Sequence, residues 1–145
     1  MDADMLETAR RFAAERNWVW LPGLQAASKH DDERDCPSYR VVRVYRGGLL
    51  AFAARINPLG EEEAFDIGLS ECVPDLDDDM TRTGGILAVV RRAWGDETAC
   101  VRCVCRDPLP DMWVWEAGTG GDRKTGFGYT ELAALFNALK AAPHA

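Results

Sequence analysis

Cysteine, histidine and paired carboxylates are the residues of this sequence that could do chemistry. There are five Cys (Cys36, Cys72, Cys100, Cys103 and Cys105) and two His (His30 and His144). Cys100-x-x-Cys103-x-Cys105 has the spacing of a metal knuckle, but structural zinc takes four converging ligands, normally from two separated pairs. No second CxxC occurs, and Cys36, Cys72 and His30 each stand alone. The run Ala99-Cys100-Val101-Arg102-Cys103-Val104-Cys105 alternates as a strand does. That directs Cys100 to one face and Val101, Cys103 and Cys105 to the other, as small core residues. No metal is expected. Cys36 with His30 is the one Cys-His pair that sequence proximity offers, and no third group orients the base. His30 reads as a solvated loop histidine. There is no GxSxG, so a serine nucleophile lacks its elbow and no catalytic residue is assigned. Asp75-x-Asp77-x-Asp79 opens like a calcium loop. Met80 stands where that loop needs Gly, and Ile86 where it needs the bidentate Glu. Asp79 reads instead as a helix N-cap or first-turn acid.

The segment from Gly118 to Gly128 (GTGGDRKTGFG) follows a strand and precedes a helix, where backbone N–H groups can cradle phosphates. Arg123 occupies the second glycine position of a P-loop and the last glycine position of a dinucleotide fingerprint, so neither template fits. Arg123-x-x-Gly126-x-Gly128 resembles the Q/R-x-x-G-x-G/A loop of GCN5-related N-acetyltransferases, and Leu132 and Leu135 lie suitably in the helix after it. The resemblance implies amides that bind the pyrophosphate of acetyl-CoA. It makes Arg123, Gly126 and Gly128 cofactor-binding residues of an acyltransferase-like protein. The competing reading is a surface loop with no ligand, and no cofactor at all.

Charge gives a different lead. The chain has 145 residues, 24 acids, 17 bases and a net charge of −7. Residues 56–81 hold nine acids and no base. Binding to nucleic acid or to an anionic membrane needs clustered Lys and Arg, so both are excluded as partners. A basic protein surface is the natural complement of Glu61, Glu62, Glu63, Asp75, Asp77, Asp78 and Asp79. The plain alternative is a solvated face that keeps the protein in solution. Arg43, beside Val41 and Tyr45, and Arg55, Arg102 and Arg106 are expected to face outward on strands and to pair across them.

The elements that must position these residues follow from periodicity. A helix is expected over 4–17, with Asp4 and Glu7 as a capping box and Met5, Ala9, Phe12 and Ala13 on one face. A loop follows over 21–38. Strands are expected at 40–46 and 49–56, joined at Gly47-Gly48, and then a half-buried strand carrying Phe65, Ile67 and Leu69. Ile86, Val89, Val90, Ala93 and Trp94 mark a helix ended by Gly95. Two more strands, 99–106 and 112–116, would set Trp113 and Trp115 against Cys103 and Cys105. A loop over 118–128 precedes a last helix capped by Thr130. The reading is a single α+β domain over residues 1–145, ordered α-β-β-β-α-β-β-α. Its antiparallel sheet of about five strands is packed by helices.

This order, with small size and acidity, resembles the type III secretion chaperone fold, whose members are acidic dimers that hold an effector segment. The stretch from Asp78-Asp79-Met80 to Tyr129-Thr130-Glu131-Leu132-Ala133-Ala134-Leu135 also resembles small phage α-β-β-α sandwich proteins. Arginine outnumbers lysine 14 to 3, a bias of GC-rich bacterial and phage genomes. The expected function is therefore protein–protein binding without catalysis, of the inhibitor, immunity, anti-defence or chaperone type. A homodimer is a further expectation. No apolar leader opens the sequence and the cysteine count is odd, so a cytoplasmic setting is expected.

Overall fold

The computed structural model describes residues 1–30 and 37–143. Cys36 and His144 lie outside them. The fold is α+β. Its elements are α1 (Ala3–Ala14), β1 (Gln25–Ser28), β2 (Tyr39–Val44), β3 (Leu50–Ile56), β4 (Glu62–Gly68), β5 (Cys72–Pro74), α2 (Ile86–Trp94), β6 (Cys100–Arg106), β7 (Leu109–Ala117), β8 (Lys124–Gly128) and α3 (Glu131–Ala141). The expected order holds with three short strands added, β1, β5 and β8. Among the described residues the strands pair antiparallel in two sheets, ordered β4-β3-β2-β1-β5 and β6-β7-β8. The chain forms two compact units, residues 1–14 with 19–85, and 15–18 with 86–145. Among the described residues no helix is long and apolar enough to cross a membrane.

In the first unit, α1 is capped by Asp2 and not by Asp4: the Asp2 carboxylate accepts the Met5 N–H at 2.8 Å. The helix buries Leu6, Ala9 and Phe12 and packs on β5. The stretch 21–38, expected as a loop, contains β1, which pairs with both β2 and β5. Four and three residues are too few for β1 and β5 to show a period, and tertiary pairing makes them strands. Gly47 and Gly48 have φ of +98° and +74°, a conformation only glycine adopts freely. Their turn is wider than two residues, since the Tyr45 N–H donates to the Leu50 carbonyl and Gly48 to that of Tyr45. A bulge between Val41 and Arg43 separates those two side chains: Val41 is buried and Arg43 exposed. Ala26, Val41, Ala51 and Leu69 form the buried cluster, with Trp20, Val44, Ile67 and Cys72 against it.

In the second unit, α2 buries Ile86, Val89 and Val90, and Gly95 ends it at φ +62°. Thr130 caps α3, its hydroxyl accepting the Ala133 N–H at 3.0 Å. That helix packs on β6, β7, β8 and α2 and buries Ala134, Leu135, Ala138 and Leu139. The Trp94 indole donates to the Ala138 carbonyl at 2.8 Å and lies 5.8 Å from the Trp115 ring. Cys103 and Cys105 share a face, but they are exposed and not core residues. They lie toward the tip of the β6–β7 hairpin, where Leu109, Pro110 and Asp111 are exposed too, while burial concentrates at Trp115 and Ala117. The stretch 118–128, expected as a loop, is a single 3-10 turn at Gly120–Asp122 followed by β8.

Candidate functional site

The sheet order divides the acidic block. Glu62 and Glu63 start β4 at one edge, with Glu61 just before them. Asp75, Asp77, Asp78 and Asp79 follow β5 at the other. Four strand spacings, about 19 Å, lie between the two edges. The structure therefore does not bring the seven acids into one patch. Most of those beyond β5 are held by their own unit. Asp75 accepts the Asp77 N–H at 3.1 Å, Asp77 pairs with the Met1 ammonium at 2.6 Å, and Asp79 pairs with Arg82 at 2.6 Å. Asp78, and not Asp79, is the cap of the helical turn that follows. It accepts the Thr81 N–H at 2.9 Å and hydroxyl at 2.8 Å, and takes two hydrogen bonds from Arg40 at 3.0 and 3.1 Å. Burial pushes the Asp78 carboxyl up, but the bonds from Arg40 and Thr81 outweigh it and hold the group below its usual range.

The β4 edge differs. Glu63 is fixed opposite Arg55 at 2.8 Å and accepts from Asn57 at 3.1 Å, bonds that lower its pKa. Asp66 accepts the Tyr45 hydroxyl at 2.7 Å. Glu61 and Glu62 are exposed, and neither forms an ion pair with a described residue. β4 pairs with β3 alone, so its outer backbone edge meets no strand among the described residues. Strand alternation gives that edge two characters. Glu62, Ala64 and Asp66 point to one face. Glu63, Phe65 and Ile67 point to the other, where Phe65 is 46% exposed and meets the Tyr39 ring edge-on at 4.9 Å. On the Glu62 face, Gln25, Arg40, Ala54 and Ile56 line a groove of about 460 Å³ that Glu62 closes at the β4 end. Asn57 shapes the turn into β4, its side-chain oxygen accepting from the N–H groups of Leu59 and Glu61 at 3.0 and 2.9 Å. Of the outward arginines, Arg55 pairs across the strands with Glu63 and Arg102 with Glu116 at 3.5 Å, whereas Arg43 lies over the Tyr45 ring two residues on and Arg106 donates to the Pro110 carbonyl.

The glycine-rich segment has other work. Gly126 and Gly128 lie in β8, paired with Trp115 and Trp113 of β7. Arg123 donates to the Gly118 carbonyl at 3.1 Å and pairs with Asp96 at 3.4 Å and Glu116 at 3.6 Å. Asp96 is 5% exposed, and its carboxylate also accepts from the Thr98 hydroxyl at 2.6 Å, the Thr98 N–H at 2.9 Å and the Gly118 N–H at 3.1 Å. Those bonds, the Thr98 hydroxyl foremost, hold its pKa down. A depressed folded-state pKa gives stability that is complete above the unfolded value, about 3.9, and drains away as pH falls through the lower folded value. Asp96→Asn is therefore expected to melt below the wild type at pH 7. The gap should shrink steadily below about pH 4, as seen in thermal melts across that range.

Cys103, Cys105 and Asp111 form the one group of three potential metal ligands among the described residues, with ligand atoms all within 4.8 Å of one another. Asp111 is the member that pattern reading missed. Its signal was parity, two residues before Trp113 and hence on the same face as the two thiols. No protein-family model matches this chain, and neither the curated proteins nor the solved structures contain a significant match.

Proposed function

We propose that the protein is a non-catalytic binding protein that takes up a basic, extended segment of a partner protein along the outer edge of β4. The observation that carries this reading is an edge strand with no outer neighbour among the described residues, bearing Glu62 and Asp66 on one face and an exposed Phe65 on the other. An added strand makes main-chain hydrogen bonds to such an edge and gains specificity from alternate side chains. The complementary segment alternates, with Lys or Arg toward Glu62 and Asp66 and an apolar residue over Phe65. The same charges guard the edge against uncharged strands. Two copies of β4 paired with Glu62 opposite Asp66 would set acid against acid, which disfavours self-pairing in that register. Such uptake suits an inhibitor, an immunity or anti-defence protein, or a chaperone. Cys72, Cys100, Cys103 and Cys105 are free thiols, in keeping with a reducing cytoplasm.

The test is fluorescence anisotropy with a labelled peptide of alternating Lys and Val. Binding should weaken as salt rises, because exposed charges are screened. The Glu61→Lys/Glu62→Lys double variant should bind at least about tenfold more weakly, or about 1.4 kcal/mol, with an unchanged melting temperature. Affinity indifferent to both salt and the double substitution would overturn the proposal.

A further inference from the structure

We propose that Cys103, Cys105 and Asp111 form a site for a thiophilic divalent cation of the zinc class on the β6–β7 hairpin, with one coordination position left open. The three ligand atoms lie within 4.8 Å of one another. Ligands about 2.3 Å from a tetrahedral ion stand about 3.8 Å apart, so side-chain rotations of about 1 Å close the set. The placement comes from the hairpin itself. Cys103 stands opposite Trp113, and a bulge between Val104 and Arg106 keeps Cys105 near Asp111.

The surroundings favour a cation. Arg102 is engaged by Glu116, and Arg106 donates to the Pro110 carbonyl at 3.2 and 3.0 Å, so neither neutralises Asp111. Asp111 forms no ion pair with a described residue. Two thiolates and a carboxylate suit zinc better than calcium or magnesium, which take oxygen ligands. Three protein ligands leave a fourth position for water or for a donor from a bound molecule. Binding at neutral pH displaces the thiol protons into solution.

The experiment titrates the reduced full chain with Co²⁺ and then with Zn²⁺. One Co²⁺ per chain should give thiolate-to-cobalt absorption in the near ultraviolet, and Zn²⁺ should abolish it with release of protons. Cys103→Ser and Cys105→Ser should each remove the absorption, and Asp111→Asn should weaken binding at least about tenfold. Cys72→Ser and Cys100→Ser should leave it intact. In the wild type, Zn²⁺ should protect Cys103 and Cys105 from alkylation while Cys100 stays reactive. Absent absorption, absorption that survives Cys103→Ser, or alkylation of Cys103 and Cys105 unchanged by Zn²⁺ would each overturn the site.

Discussion

Asp78→Ala is expected to lower the melting temperature by roughly 5–10 °C, the equivalent of about 2–3 kcal/mol in a domain of this size. Asp78 joins three parts of the first unit. Arg40 on β2 reaches it with two hydrogen bonds while also donating to the Gly23 carbonyl at 2.6 Å. Thr81, fully buried, gives it both N–H and hydroxyl, and in turn accepts the Gln25 N–H of β1 at 2.9 Å. Removing the carboxylate deprives the helical turn of its cap and leaves a guanidinium two-thirds buried without its partner. Capping alone contributes about 1 kcal/mol. The pair is partly exposed, with side chains at 34% and 21%, which keeps the figure below that of a fully buried pair. Asp79→Ala is the control, because its carboxylate is 84% exposed and its bridge to Arg82 contributes little. Asp78→Asn should fall between, since its side-chain oxygen can still accept from Thr81. The carboxyl is depressed in the folded state, so its contribution is complete above about pH 4 and fades as pH falls below that. Thermal melts at pH 7 and pH 3 should show the gap between wild type and Asp78→Ala shrinking at the acid end. Equal melting of Asp78→Ala and Asp79→Ala at pH 7 would remove Asp78 from this role.

That residue also shows where sequence reading reaches its limit. Nine acids and no base in 56–81 look like one surface when laid out in a line. Which of them meet a cation depends on β1, a four-residue strand that inserts between β2 and β5 and carries no period of its own. Long-range pairing of short strands is settled by tertiary context, which local pattern does not contain. Elements with a full period were legible. Ile86, Val89 and Val90 predicted α2, and Gly47-Gly48 predicted a turn that the positive φ of both glycines requires. Alternation correctly set Cys103 and Cys105 on one face and Trp113 opposite Cys103. It gave the wrong depth, because parity tells which residues share a face and not where along the hairpin the helix stops covering it. The candidate site was legible only in part. Glu61 and Glu62 were named from charge alone, whereas the open edge and the exposed Phe65 beside them appear only once the strand order is known.

Gly128→Ala is expected to be the most damaging single methyl in the second unit. A Cβ at Gly128 would lie 2.5 Å from the Ala134 nitrogen, 2.8 Å from the Ala133 carbonyl carbon and 2.9 Å from the Ala133 Cβ. Two of these are backbone atoms in the first turn of α3, so no rotamer change relieves the contact. The helix itself must retreat, and with it go Leu135 and Leu139, both buried. Overpacking of this kind costs about 3 kcal/mol, a fall of roughly 6–12 °C in melting temperature. Gly126→Ala strikes the Trp115 indole instead, at 2.5 Å from its nitrogen, and that side chain is 5% exposed. Gly121 is the internal control: nothing lies within 4 Å of its Cβ position, and Gly121→Ala should be nearly neutral. The pattern separates two explanations of one motif. Glycines that serve a phosphate are needed for the ligand and spare the fold. Glycines that let Trp115 and α3 approach β8 are needed for the fold with no ligand present. If the second holds, Gly128→Ala and Gly126→Ala melt early in plain buffer, Gly121→Ala does not, and CoA raises the melting temperature of none of them, because a ligand stabilises only the state it binds. Wild-type melting of Gly128→Ala together with a CoA shift that Arg123→Ala abolishes would return Arg123-x-x-Gly126-x-Gly128 to the phosphate.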